Sequence, residues 1–465
     1  MDQVTSSRRT LLKTAASLAA LPAFGGQAQL ARRPNILFFF PDQLRYDWTG
    51  LTPESGVRTP NLNQLAARGV QFRRAVVASP LCAPSRACLA SGREYESCGV
   101  PSNKTDYPLE QQTYYRLLRD AGYHVTCCGK VDLSKASNNQ GVDGKLHLAD
   151  WGFSDGINNA GKHDAMKGAM TPYDPYMTYL KSRNLSQVHV DDYERRHGKE
   201  YAATFPTPLP DDAYCDNWLA NNGLDLIKGT PKGKPWHLQV NFTGPHSPMD
   251  ITASMERKVR GRDFPSPNHS TEFTRETHSL IRQNYTAMVE NVDRWLGVYI
   301  ELLKSRGEFD NTLIVFSSDH GDLLGDHNMW GKSKPMQSSV GVPLVVAGPG
   351  VAKGVSSDAL VSVMDLAATY LDYGGVARPR QMDSRTVRPL LEGRSTKHRS
   401  HLLSGLNDWR MVDDGRYKFI RGFQMEDSPE KELLFDMKND PKENDNLAKR
   451  KPEEVARLAK LLKPA

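Results

Sequence analysis

Cys82-Ala83-Pro84-Ser85-Arg86, continuing as Ala87-Cys88-Leu89-Ala90-Ser91-Gly92-Arg93, sets a thiol just ahead of a helix-starting proline and a guanidinium. Pro84 suits the first helical position, where its missing N–H leaves no bond unmade. The helix is then predicted to start at Pro84 and continue over Ser85 to Ala90, leaving Cys82 at its N-terminal mouth. Unpaired N–H groups and the helix dipole at such a mouth favour an anion or a developing negative charge. Arg86, about one turn in, adds a planar fork of donors suited to oxyanions. Two readings of the thiol stand side by side: a reactive group facing an anionic substrate, or a structural thiol that is either simply buried or a disulfide partner for Cys88 or Cys98.

Other chemistry-bearing residues follow apolar runs. Ile36 to Phe40 delivers Asp42 and Gln43, Trp236 to Phe242 delivers His246 between Pro245 and Pro248, and Thr312 to Phe316 delivers Asp319 and His320. Carboxylates and an amide oxygen are hard ligands for Ca2+ or Mg2+, and one imidazole admits Mn2+ as well. Asp42, Gln43, Asp319 and His320 thus form a candidate cation site. Taken singly, Asp42 is as well explained as a turn cap and the Asp319 string as a polar loop.

These runs, with Leu344 to Ala347, read as strands buried on both faces of a parallel sheet. Helical patterns lie between them at Asn61 to Arg68, Thr113 to Ala121 and Thr274 to Ser305, the last with Leu280, Tyr285, Met288, Val292, Leu296, Tyr299 and Leu303 near helical period. Alternating strands and helices predict an α/β fold, a large mixed, mostly parallel sheet sandwiched by helices. Ligands bind such sheets at the carboxyl ends of strands, which is where the polar residues fall. Residues 31–395 are assigned to this catalytic domain, with 133–211 as an elaboration over the site. Residues 396–465 form a small α+β subdomain with short strands near Met411, Arg416 to Ile420 and Leu433 to Met437.

The Cys-x-Pro-Ser-Arg string resembles the signature of the type I sulfatases of the alkaline-phosphatase-like superfamily. Pro34-Asn35-Ile36-Leu37 up to Asp42 is similar to that family's first metal strand, and Ser318-Asp319-His320-Gly321 to its second metal cluster. Gln43 stands where many members have Asp, as in a subset related to choline sulfatases and phosphonate hydrolases. Gly129-Lys130 and Gly331-Lys332 resemble the lysines that grip the sulfate, and Pro245-His246-Ser247-Pro248 the element whose histidine faces the leaving group.

The resemblance implies that Cys82 is oxidised to Cα-formylglycine (3-oxoalanine) by a formylglycine-generating maturation enzyme, that its hydrate is the nucleophile, and that the cation is calcium, held in part by residue 82. It also implies that Arg86, Lys130 and Lys332 neutralise the sulfate oxygens while His246 acts as general acid. Asp132 stands where many members have a histidine and is assigned the role of base. Met336-Gln337 replaces a common Tyr-Glu pair, which bears on the substrate pocket and not on the core chemistry.

The N-terminus carries Ser7-Arg8-Arg9-Thr10-Leu11-Leu12-Lys13, an apolar stretch to Phe24 and small residues to Gln29. Residues 1–30 are read as a Tat-type signal peptide, cleaved near Ala28, with the Tat machinery as a partner and a bacterial periplasmic or secreted destination. The stretch is too short to remain as a permanent anchor. A net charge of only +6, with no long basic run, argues against nucleic acid as a partner.

The expected activity is hydrolysis of a sulfate monoester on a sulfated saccharide. A phosphonate monoester or phosphodiester hydrolase on the same fold is the rival enzyme, and a catalytically silent binder of sulfated glycans the rival from another class. His163, Tyr173, Tyr176 and Tyr179 are offered as sugar contacts without preference among them.

Overall fold

The structure, a computed structural model, describes residues 33–169, 173–425 and 429–462. The signal peptide assigned to residues 1–30 lies outside these residues. From Arg33 onward the chain forms one compact unit. Its strands are β1 (Asn35–Phe39), β2 (Gly69–Phe72), β3 (Ala75–Val76), β4 (His124–Gly129), β5 (Asp155–Asn158), β6 (Trp236–Asn241), β7 (Thr312–Phe316), β8 (Leu344–Ala347), β9 (Val355–Ser357), β10 (Val361–Ser362), β11 (Leu402–Leu406), β12 (Trp409–Asp413), β13 (Tyr417–Arg421) and β14 (Glu432–Asp436).

Eight strands form the main sheet in the order β5-β4-β6-β1-β7-β8-β2-β9. The strands β5, β4, β6, β1 and β7 are mutually parallel. Successive residues of β1 point to opposite faces, and both faces are covered. Ile36 and Phe38 enter one core with Tyr114, Leu118 and Tyr370, whereas Leu37 and Phe39 enter the other with Met288, Leu296 and Tyr299. β8 runs antiparallel to both β7 and β2, so Leu344 to Ala347 is not the parallel strand its apolar run suggested. Burial on both faces makes a strand uniformly apolar but leaves its direction to the connections.

The longest helix covers Arg275–Ser305, capped by Thr274, whose hydroxyl accepts from the Thr277 N–H. Leu280, read into its buried stripe, is 42% exposed, and its neighbour Ile281 packs inward instead. The C-terminal strands β11 to β14 make an antiparallel sheet in chain order, followed by a helix at Pro452–Ala459. Leu402, Met411, Ile420 and Leu433 join the core around Phe38, so this sheet extends the main body. β11 had no strand expectation. Residues 133–211 supply edge strand β5 and several short helices, and reach the site described next. Among the described residues, no helix is long and apolar enough to cross a membrane.

Candidate active site

Four adjacent parallel strands, β4, β6, β1 and β7, end on the same edge of the sheet, and each delivers a site residue there. β4 ends in Gly129, whose φ is +93° and where a Cβ would lie 2.0 Å from the Asn241 carbonyl oxygen. Glycine is required at that turn, and the next residue, Lys130, is thereby aimed over the end of the sheet. Beyond β6, the loop carrying His246 is pinned by the buried Asp216 carboxylate, which accepts from the Thr243 and Gly244 N–H groups. Asn284 Nδ2 donates to the Met249 carbonyl at 2.6 Å on the far side of that loop. Beyond β1 and β7, the Gln43 N–H donates to Asp319 Oδ1 at 3.0 Å and the Leu44 N–H to Ser318 Oγ at 2.9 Å.

Cys82 approaches this edge from its own helix, Cys82–Ser91. The helix begins two residues earlier than expected. The Ser85 N–H bonds the Leu81 carbonyl at 2.8 Å, closing the first turn over Cys82 to Pro84. Pro84 still costs nothing, because the first four N–H groups of a helix have no internal acceptor. Asn103 Oδ1 accepts the Ala83 N–H at 3.0 Å, an external cap that no motif announced. All six cysteines are free thiols, so the pairing of Cys82 with Cys88 or Cys98 is not formed.

Around Cys82 Sγ stand Lys332 Nζ at 2.8 Å, His320 Nε2 at 3.4 Å, Lys130 Nζ at 3.6 Å and the Asp42 carboxylate at 3.9 Å. Burial and Asp42 push the thiol up, but Lys130, Lys332 and the His320 hydrogen bond outweigh them and hold it well below the usual range. Asp42 is held low as well: burial raises it, and Lys130, Lys332, His246 and His320 prevail. The half-buried His246 is pushed well below its usual value by burial and by Lys332, and its Nδ1 bonds the Ser247 carbonyl.

The cation donors converge. One ligand atom each from Asp42, Cys82, Asp319 and His320 lie within 4.8 Å of one another, and all four residues are buried. His320 Nδ1 lies 3.1 Å from the Gly321 carbonyl, which fixes the ring so that Nε2 faces the cluster. Gln43 Oε1 is buried without a hydrogen-bond partner. An orphaned acceptor beside two buried carboxylates fits a bound cation, and the oxygens of Asp42, Gln43 and Asp319 with one imidazole fit a hard divalent ion.

Two predicted residues take other places than expected. Arg86 is 2% exposed, with Nε and Nη2 each 2.9 Å from Asp319 Oδ2, Nη1 3.0 Å from Asn241 Oδ1, and a further bond to the Lys130 carbonyl. Its guanidinium braces the metal carboxylates from behind and does not line the cleft. Asp132 pairs with Lys130 at 3.4 Å and Lys135 at 3.3 Å, not with Cys82.

The cleft over Cys82 has a volume of about 140 Å³ and is walled by Lys130, Lys332, His246 and Thr243, and by Lys135 and His163 from the elaboration. His163 is thus at the site, whereas Tyr176 is buried in the core and Tyr179 stacks near Trp218. Sequence reading missed Lys135 and Lys162. Lys162 is buried against Asp250 and donates to the Pro248 carbonyl, tying the His163 turn to the His246 loop. Neither lies in a spaced motif, so only the fold could place them.

The sulfatase family matches residues 34–376, and the C-terminal region of N-sulphoglucosamine sulphohydrolase matches residues 325–464. The chain is 26% identical over 451 residues to an arylsulfatase of Clostridium perfringens, covering 89% of this chain and 90% of that one. It is 27% identical to an N-acetylglucosamine-6-O-sulfatase of Bacteroides thetaiotaomicron, over 83% and 76% of the two chains. The phosphonate monoester hydrolase of Agrobacterium radiobacter shares the fold with a TM-score of 0.75 at 24% identity, over 92% of this chain and 94% of that one. The chain belongs to the sulfatase family of the alkaline-phosphatase-like superfamily. It is an enzyme of the sulfuric ester hydrolase class.

Proposed function

We propose that this enzyme hydrolyses a sulfate monoester on a saccharide, with residue 82 as formylglycine and a divalent cation, by preference calcium, held by Asp42, Gln43, Asp319, His320 and residue 82. The observation that carries the reading is the convergence of Lys332, Lys130 and His320 on Cys82 Sγ, within 3.6 Å, at a helix N-terminus. When present, the hydrated aldehyde supplies a hydroxyl nucleophile and the cation draws charge from the sulfate oxygens.

The protein's own groups do the rest. Lys130 and Lys332 hold the tetrahedral anion as point charges on either side of residue 82. Arg86 acts indirectly, fixing Asp319, Asp42 and the Lys130 backbone. In the free site His246 is neutral, because burial and Lys332 depress it. An arriving anion offsets the lysine charge and favours its protonation, so that it can protonate the leaving alcohol at the bridging oxygen. Lys130 Nζ lies between Asp132 and residue 82, so a proton taken by Asp132 from residue 82 passes through that lysine. The direct effect of Asp132 is to raise Lys130, against the opposing effect of burial.

The saccharide choice draws on the Bacteroides relative, an N-acetylglucosamine-6-O-sulfatase. Export by the Tat route to the periplasm or beyond, after modification by a formylglycine-generating enzyme, completes the proposal. A second reading, phosphonate monoester hydrolysis, is favoured by Gln43 and by the Agrobacterium neighbour.

Two measurements separate these. Peptide mass spectrometry across Cys82, on protein from its native host, should find aldehyde or hydrate in place of thiol. Quantitative thiol would remove the nucleophile. Rates on matched aryl sulfate and aryl phosphonate esters should favour sulfate, and the reverse preference would install the second reading.

A further inference from the structure

Asp322 is fully buried one residue past the His320-Gly321 step, and its carboxylate is shared four ways. Oδ1 accepts the N–H groups of Leu324 at 2.9 Å and Gly331 at 3.1 Å. Oδ2 accepts Gln43 Nε2 at 2.6 Å and the Tyr201 hydroxyl at 2.8 Å. Gln43 Nε2 also donates to the Tyr201 oxygen at 3.1 Å, closing a triangle. Tyr201 comes from the elaboration over the site and packs its ring on Trp330, centroids 4.6 Å apart, just ahead of Gly331 and Lys332.

The triangle dictates which way the Gln43 amide faces. The Asp322 oxygens act as acceptors in all four of these bonds, so the nitrogen points at Asp322 and the oxygen away from it. That oxygen is the buried, partnerless Oε1. A flipped amide would set oxygen against oxygen at 2.6 Å. Asp322 thus holds the donor of a cation ligand with one oxygen. With the other it holds the Gly331 backbone, next to the lysine that reaches Cys82.

We infer that Asp322 and Tyr201 are positioning residues that lock the Gln43 amide oxygen toward the cation donors and tie that ligand to the Lys332 loop. The inference rests on the cation site proposed above. Partners of this kind orient ligands, and their loss costs about 10–100-fold in metal affinity.

The test is calcium affinity by titration calorimetry on chelator-stripped protein, with hydrogen exchange of the 323–333 segment measured with and without calcium. Asp322→Asn should weaken calcium about 10–100-fold and abolish the calcium-dependent protection of that segment. The amide introduced there offers an N–H to position 43, which turns the Gln43 oxygen away from the cation. Gln43→Glu alone should also weaken binding, by setting two carboxylates together. Gln43→Glu combined with Asp322→Asn should recover it, since one carboxylate oxygen accepts the new N–H and the other faces the cation. A merely structural role for Asp322 predicts no such rescue. Tyr201→Phe, which keeps the ring packing, should lose several-fold and serves if Asp322→Asn does not fold. Wild-type affinity in Asp322→Asn or Tyr201→Phe, or a double variant no better than Asp322→Asn, overturns the inference while the cation site stands. A wild-type chain that takes up no divalent cation overturns both.

Discussion

Lys332 Nζ lies 2.8 Å from Cys82 Sγ, closer than any other cation, although 250 positions separate the two residues. Lys130 reaches the same sulfur at 3.6 Å, but it is also ion-paired to Asp42 and Asp132. The two lysines are therefore not equivalent. Lys332 is the more open, with 14% of its side chain exposed, and its nearest carboxylate oxygen is 3.8 Å away. Lys130 belongs to the buried scaffold as much as to the substrate.

This asymmetry gives a prediction in two readouts. Lys332→Ala should lower kcat/KM about 10²–10³-fold, the usual loss of one preorganised charge stabiliser, with little change in thermal midpoint. Lys130→Ala should lose as much activity and also stability, since it removes the nearest charged donor to the buried Asp42 carboxylate, at a cost of about 1.5–3 kcal/mol. Thermal unfolding alongside steady-state kinetics checks both. Equal stability of the two variants would contradict the division of labour.

His246 faces the cleft and is assigned to the leaving group, so its removal should depend on that group's basicity. His246→Ala should slow hydrolysis of an alkyl or sugar sulfate about 10²–10⁴-fold, the range for general acid catalysis. The loss on 4-nitrophenyl sulfate, whose phenolate leaves without a proton, should be far smaller. A loss independent of the leaving group would take His246 out of the acid role.

His237, in β6, bonds the Tyr114 hydroxyl at 3.2 Å and is fully buried, which pushes its pKa down to about 3. The unfolded value is about 6.5. Below that pH the unfolded chain binds a proton that the folded chain refuses, so stability is lost as pH falls from about 6.5 toward 3. The slope from this residue approaches ~1.4 kcal/mol per pH unit. His237→Gln, which keeps a partner for Tyr114, should flatten the urea-derived stability between pH 6.5 and 5 by that amount. Unchanged slopes would show that His237 already titrates normally in the folded protein.

The strands that end in site residues were legible because burial on both faces makes them uniformly apolar and sets the polar residue after each apart. Asp42, His246, Asp319 and His320 all stand where that pattern puts them, whereas β4 was not read as a strand and Lys130 was found only through its Gly-Lys resemblance. The direction of β8 was not legible, since apolar runs carry no polarity. Nor was the place of Arg86. A guanidinium near a helix start suits an oxyanion and a carboxylate equally, and only the packing of Asp319 against it decides. Lys135, Lys162 and Tyr201 lie in a stretch without period or motif. Their use depends on contacts up to 158 residues away in the chain.

β1 sits in the middle of the main sheet, between β6 and β7, yet it comes first in the chain among the strands of the described residues. Its partners are Trp236–Asn241 and Thr312–Phe316, so Phe39 waits about 280 residues for Phe316. At ~5–20 residues per second, synthesis takes roughly 15–55 s to supply that second neighbour. Until Asn241 is made, Asn35–Phe39 and the Phe40 that follows it have no partner strand, and any product ending before Phe316 leaves them at best half-paired. Newly made chains therefore pass through a long sticky stage that invites chaperones, and fragments should aggregate instead of folding.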